Sequence, residues 1–136
     1  MAAIKNRDTK PELIIRRLLH KQGFRYTLNN RHLPGNPDLV LPKFQAVIFV
    51  HGCFWHKHEC YLFKWPQTRA KFWREKILSN EKNDQNKQMI LRDSGWRIAV
   101  IWECAVKSQN LVKANRISRQ LRNWLNSEKL TIEISG

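Results

Sequence analysis

The chain has 136 residues, with 25 Lys+Arg against 11 Asp+Glu, a formal net charge of +14 and a pI near 10.3. That length suits a single domain, residues 1–136, whose core hides roughly two-thirds of the unfolded surface. No apolar run reaches the roughly 18 residues of a membrane span, Met1 to Lys10 lacks the apolar stretch of a signal peptide, and three cysteines argue against a disulfide framework, so a reducing cytoplasm is expected.

Thr9-Lys10-Pro11-Glu12 has capping-box spacing and predicts a helix to about Gln22. Its stripe is Ile14, Leu18 and Leu19, flanked by Ile15 and Gln22, and Gly23 stands where a left-handed stop belongs. Phe24 to Leu28 reads as a short strand and Asn29 to Asn36 as a loop. Asp38 to Leu41 and Gln45 to Val50 read as strands joined by a turn at Pro42-Lys43, the second apolar enough to be buried on both faces. Thr68 can cap a helix through about Leu78, and a second helical stretch from Glu81 to Asp93 stops at Ser94-Gly95.

Trp96 to Trp102 is the next buried strand. The crossover from Val50 is long enough to make the two strands parallel, so that both finish at one edge. Ser108 to Leu125 is an amphipathic helix with a basic outer face, and Leu130 to Ile134 a marginal strand. The order implies an α/β fold, a mixed central sheet flanked by helices.

The shared edge collects chemistry. Cys53 follows the first of the two parallel strands by three residues and Cys104 follows the second by two; Cys53-x4-His58-x-Cys60 supplies the rest of a four-ligand set. Thiolate and imidazole suit Zn2+, and a closed four-ligand site holds a fold together without catalysing. The plain alternative is a pair of buried thiols. Asp38, by contrast, offers a hard oxygen ligand suited to Mg2+.

The surplus of positive charge and the six Trp, six Phe and two Tyr fit a nucleic acid, whose phosphates meet cations and whose bases meet rings. A soluble basic domain explains the charge alone equally well. Pro37-Asp38 at a strand start resembles the PD-(D/E)xK nucleases, although Pro-Asp is also a common turn dipeptide. The Glu-x-Lys half of that pattern is missing: Ile48-Phe49-Val50 and then His51 stand in its place. Another group must serve as base, and imidazole is suited to it.

The run His51-Gly-Cys-Phe-Trp-His, its continuation to Cys60-Tyr-Leu-Phe-Lys, Thr68-Arg with Phe72-Trp73-x-Glu75-Lys76-Ile77, and Gly95-Trp96-Arg97 leading to Ile101-Trp102-Glu103-Cys104 resemble the very short patch repair (Vsr-type) endonucleases from about Arg7 to Val106. The resemblance implies a bacterial nuclease with a zinc-bearing variant of the restriction-endonuclease-like fold. Such an enzyme acts on double-stranded DNA with a T·G mismatch left by deamination of 5-methylcytosine and nicks 5′ to the thymine. Carried over, Asp38 is the Mg2+ ligand with the main-chain carbonyl of Val50, where the family commonly has Thr. His56 activates the attacking water, His51 assists at the phosphate and Glu12 is an accessory acid. Cys53, His58, Cys60 and Cys104 hold Zn2+, and Phe54, Trp55 and Trp73 insert beside the mismatch.

Each assignment has a plainer reading: a cap for Glu12, solvent-exposed loop positions for the histidines, core packing for the rings. Core packing is the better reading for Trp96 and Trp102, while Trp65 and Trp124 have no assigned role. Lys57, Lys64, Arg69, Lys71 and Arg74 are placed for phosphates or form a solvated basic surface. A monomer in the bacterial cytoplasm, near the nucleoid and in touch with mismatch-repair proteins, completes the expectation. Two rivals are a restriction-type endonuclease of the same fold cutting matched sites, and a non-catalytic zinc-stapled DNA-binding domain.

Overall fold

A computed structural model of the chain describes residues 9–28, 32–58, 60–107 and 111–136. Five strands form one sheet in the order β1 (Thr27–Leu28), β2 (Leu39–Leu41), β3 (Ala46–His51), β4 (Arg97–Trp102) and β5 (Thr131–Ile134). β1, β2 and β3 pair antiparallel, and β3, β4 and β5 pair parallel. The predicted mixed sheet and the parallel pairing of the two apolar strands are therefore present. His51 is in register with Trp102, so both strands end at one edge. The antiparallel return of β2 brings its start to that same edge, where the Asp38 N–H bonds the Ile48 carbonyl at 3.1 Å.

Alternation along β3 explains why the strand is buried on both faces. Ala46 and Ile48 join a core with Ile15 and Leu19 of α1 (Lys10–Lys21) and Ile117 and Leu121 of α4 (Leu111–Leu125). Val47 and Phe49 face the other way, with Ile98, Val100 and Leu91 of α2 (Ala70–Asp93). Successive strand side chains point to opposite faces, so one apolar run serves two layers.

Several expectations are corrected. The buried face of α1 is Glu12, Ile15 and Leu19, with Ile14 and Leu18 only half-buried, because the helix turns its acid inward. Thr9 accepts the Glu12 N–H at 3.4 Å as a cap should, but the Glu12 carboxylate reaches Arg16 and Asp38. β1 shrinks to two residues, because the Phe24 N–H bonds back to Leu19 and closes the helix. β4 starts at Arg97 for the same reason, since the Trp96 N–H closes α2 on Leu91.

The two helical stretches after Thr68 are one helix of 24 residues. Ser79-Asn80 contains neither Gly nor Pro, and the Asn80 side chain bonds the Trp55 carbonyl at 3.3 Å, away from its own backbone. Thr68 is not the cap: Arg69 holds that position with φ 54° and gives no side-chain cap. A four-residue helix, α3 (Glu103–Val106), carries Cys104 directly off the end of β4. Ser108, the expected start of the last helix, lies outside the described residues.

Candidate active site and metal cluster

At the sheet edge a cleft of about 1020 Å³ is lined by Glu12, Asp38, Val50, His51, Trp55 and His56 and, across from them, by Lys76, Asn80, Asp84 and Lys87 of α2. The last four recur at helical spacing and form one polar face of a helix that buries only Ile77 and Leu91. That face turns to the cleft rather than to the core.

Asp38 is fixed by the backbone, its Oδ2 accepting the Val50 N–H at 2.6 Å. The Glu12 carboxyl, 2% exposed and bonded to the Arg16 guanidinium at 3.2 Å, also hydrogen-bonds Asp38. Burial foremost, and then the charge of Glu12, push the Asp38 carboxyl up to about 7 against the pull of the Val50 N–H. Two withdrawn carboxyls that meet at one end of the cleft form a pair of hard oxygen donors that suits a divalent cation such as Mg2+.

The histidines are brought together by a tightly wound loop. The His56 N–H bonds Gly52, the Lys57 N–H bonds Phe54 and the His58 N–H bonds Cys53, with Lys57 at φ 53°. Glu103 accepts the Cys53 N–H at 3.2 Å and ties the loop to α3, while Asn80 ties it to α2. The His51 and His56 rings stack with centroids 3.9 Å apart and planes 6° from parallel. Burial, and then His56, lower His51 to about 3, so it is a neutral imidazole near pH 7.

Asp84 of α2 hydrogen-bonds His56 Nδ1 and fixes which ring nitrogen faces the cleft. Asp84 was not predicted from the sequence. The only available signal was an acid on the polar face of a helix, and nothing in one sequence says which face meets the loop. His51, His56 and Asp84 offer atoms within 4.8 Å of one another. Near-parallel stacked rings aim their lone pairs side by side, however, and not at one point, so the trio suits proton handling better than metal ligation.

Cys53, His58, Cys60 and Cys104 likewise offer ligand atoms within 4.8 Å of one another, with both Cys53 Sγ and Cys104 Sγ 3.5 Å from His58 Nδ1. All three cysteines are free. Burial pushes the Cys53 thiol well above its ordinary value, and a bound cation is what can hold such a group as thiolate. Three thiols and an imidazole fit Zn2+. Further contacts steady the set: the Cys104 N–H reaches Cys53 Sγ at 3.4 Å, the Gly136 N–H reaches Cys104 Sγ at 3.3 Å, and the His58 ring stacks on Trp102 at 4.1 Å.

Phe54, Trp55 and Trp73 form a mutual cluster, with centroids 5.3 to 5.6 Å apart, and Phe54 and Trp55 line the cleft. Trp102 is buried, its Nε1–H donating to Glu133 at 2.6 Å, and Trp96 packs against the same core, as predicted for both. Trp124 is core too, beneath the Arg97 guanidinium.

A family model described as DNA mismatch endonuclease Vsr matches residues 1–62. The chain is 40% identical over 134 residues to the DNA mismatch endonuclease Vsr of Escherichia coli strain K12, covering 98% of this chain and 86% of that protein. It is 41% identical over 125 residues to the type II nicking enzyme V.XorIIP of Xanthomonas oryzae pv. oryzae, covering 92% and 88%. It is 38% identical over 125 residues to the type II nicking enzyme V.NmeAIP of Neisseria meningitidis serogroup A, covering 90% and 89%.

Proposed function

The chain belongs to the Vsr family of DNA mismatch endonucleases, and from that premise we propose that it nicks double-stranded DNA 5′ to the thymine of a T·G mismatch, with Mg2+, to open very short patch repair. The observation that carries this reading is the single cleft lined by Glu12, Asp38, His51 and His56, with Asp84 on His56. The fold is read as restriction-endonuclease-like, one domain over residues 1–136. The enzyme acts as a monomer in the bacterial cytoplasm, at the nucleoid, alongside mismatch-repair proteins. Among the described residues no helix is long and apolar enough to cross a membrane.

The chemistry follows from what each side chain can do. Asp38 and the Val50 carbonyl would hold Mg2+, and Val at this position leaves a main-chain ligand intact. When bound, Mg2+ lowers the pKa of a coordinated water and offsets charge at phosphorus. His56, its Nδ1 held by Asp84, presents Nε2 to take the proton of the attacking water. His51, neutral through burial, donates an N–H to a phosphate oxygen and brings no second cation to the stack. Glu12 buttresses Asp38 from behind.

Cys53, His58, Cys60 and Cys104 would hold a structural Zn2+ that pins the loop carrying His56 beside His51 at the end of β3. Phe54, Trp55 and Trp73 wedge into the weakly stacked mismatched step, which opens at less cost than a paired one.

Duplexes labelled separately on each strand and containing T·G, other mismatches or matched pairs test the reading. Nicking of the T strand of the T·G duplex alone, only with Mg2+, is the expected result. Equal cutting of matched DNA, or scission without a divalent cation, would overturn it.

A further inference from the structure

The aromatic cluster does not end at the three rings assigned to the mismatch. Phe54 leads to Phe63 at 6.1 Å and Phe63 to Trp65 at 5.0 Å, while Trp73 leads to Phe72 at 5.2 Å. Trp65 and Phe72, the two ends of this run of contacts, are 36% and 44% exposed, a hydration cost that ordinary core packing would have removed. Each end carries an arginine: the Arg74 guanidinium lies over Trp65 at 4.9 Å and that of Arg69 over Phe72 at 4.3 Å. Lys57, in the loop that carries Phe54 and Trp55, is paired with Glu81 at 3.7 Å.

We propose that Arg74 on Trp65 and Arg69 on Phe72 are two phosphate contacts that grip the DNA backbone at the two ends of the aromatic wedge. A guanidinium over a ring keeps its charge and its outward N–H groups, and the ring has already restricted a long side chain that would otherwise lose its freedom on binding. The pair is thus set before DNA arrives, and each arginine can meet a phosphate in forked fashion. A grip on the backbone beside the opened step resists closure of the base stack, and it carries no sequence preference. Lys57, already neutralised, contributes little. The inference rests on the wedge belonging to a DNA-binding face, as proposed above.

The test is the salt dependence of binding. The zinc-loaded full chain, without Mg2+, is titrated onto a dye-labelled T·G duplex from 50 to 200 mM salt. Each phosphate contact contributes a slope of about 0.9 in log affinity against log salt. Arg74→Ala and Arg69→Ala should each flatten the slope by about that amount, so that the wild-type advantage shrinks about 3.5-fold across the range. Trp65→Leu, which removes the ring and no charge, should weaken binding several-fold at an unchanged slope, and Lys57→Ala should leave the slope nearly as it is. Arg74→Gln replaces the alanine variant if that one fails to fold.

Unchanged slopes in both arginine variants, or a Lys57→Ala slope as flat as theirs, would mean diffuse surface charge and overturn the proposal. Flattened slopes in a protein that nicks no mismatch would sink the nuclease reading and leave this one standing.

Discussion

Asp38 is under two opposed demands, since a ligand for a cation must be ionised and a buried carboxyl resists ionisation. Held up to about 7 by burial and Glu12, it releases its proton late, and a cation competes with that proton for the same oxygens. Nicking at limiting Mg2+ should therefore rise with pH through about 7, and the midpoint should move down as Mg2+ is raised. A midpoint indifferent to Mg2+ in single-turnover rates would contradict Asp38 as a ligand.

Stability carries the same signature with the opposite sign. Between 3.8 and about 7 the folded chain keeps a proton on Asp38 that the unfolded chain releases, so this contribution falls as pH rises. His51, lowered to about 3, behaves inversely: the unfolded chain gains a proton below 6.5 that the fold refuses, so stability is lost on acidification. The two oppose each other between about 4 and 6.5. Without Mg2+, Asp38→Asn should be more stable than wild type above pH 7 by about 1–2 kcal/mol in urea unfolding, the mark of a site strained for function. Asp84→Asn keeps the shape and removes the charge that orients His56, so the nicking step should slow by about 10² to 10⁴ with little change in duplex affinity. A loss confined to affinity would make Asp84 structural only.

At the scale of elements, the site depends on a loop with little regular structure, residues 52 to 58, held by Asn80 from α2, Glu103 from α3 and the thiol-imidazole cluster. Withdrawing zinc with a chelator should lower the melting temperature and abolish the near-ultraviolet signal of Trp102, which stacks on His58. Cys104→Ser should do the same without a chelator, and an unchanged melting curve in either case would mean that the cluster holds no structural metal.

Much of this was legible in one sequence, because period and punctuation are local: the apolar runs of β3 and β4, the Gly23 stop at φ 84° and the His/Cys spacing all carry their meaning in neighbours. What was not legible is long-range. The fusion of two helical stretches into α2 and the direction in which that helix points Asp84 depend on a packing face that a helix with only two buried residues does not advertise. Likewise the inward turn of Glu12 is set by Asp38, 26 positions away in a different layer.

The whole molecule is a strongly basic body of net charge +14 whose sheet edge concentrates nearly everything reactive. Such a field recruits any duplex and says nothing about chemistry. The family follows from the relatives, and on the reading proposed above the imidazoles at the end of β3 and in the loop beyond take the place of the missing Glu-x-Lys, with a carboxylate from α2 behind one of them. The central claim is that Asp38 supplies the hydrolytic centre while recognition resides elsewhere. Its most direct test measures nicking and mismatch affinity together for Asp38→Ala. Nicking should fall by at least about 10³, with the T·G duplex bound about as tightly as by wild type. Nicking that survives the substitution, or activity and affinity lost in equal measure, would contradict it.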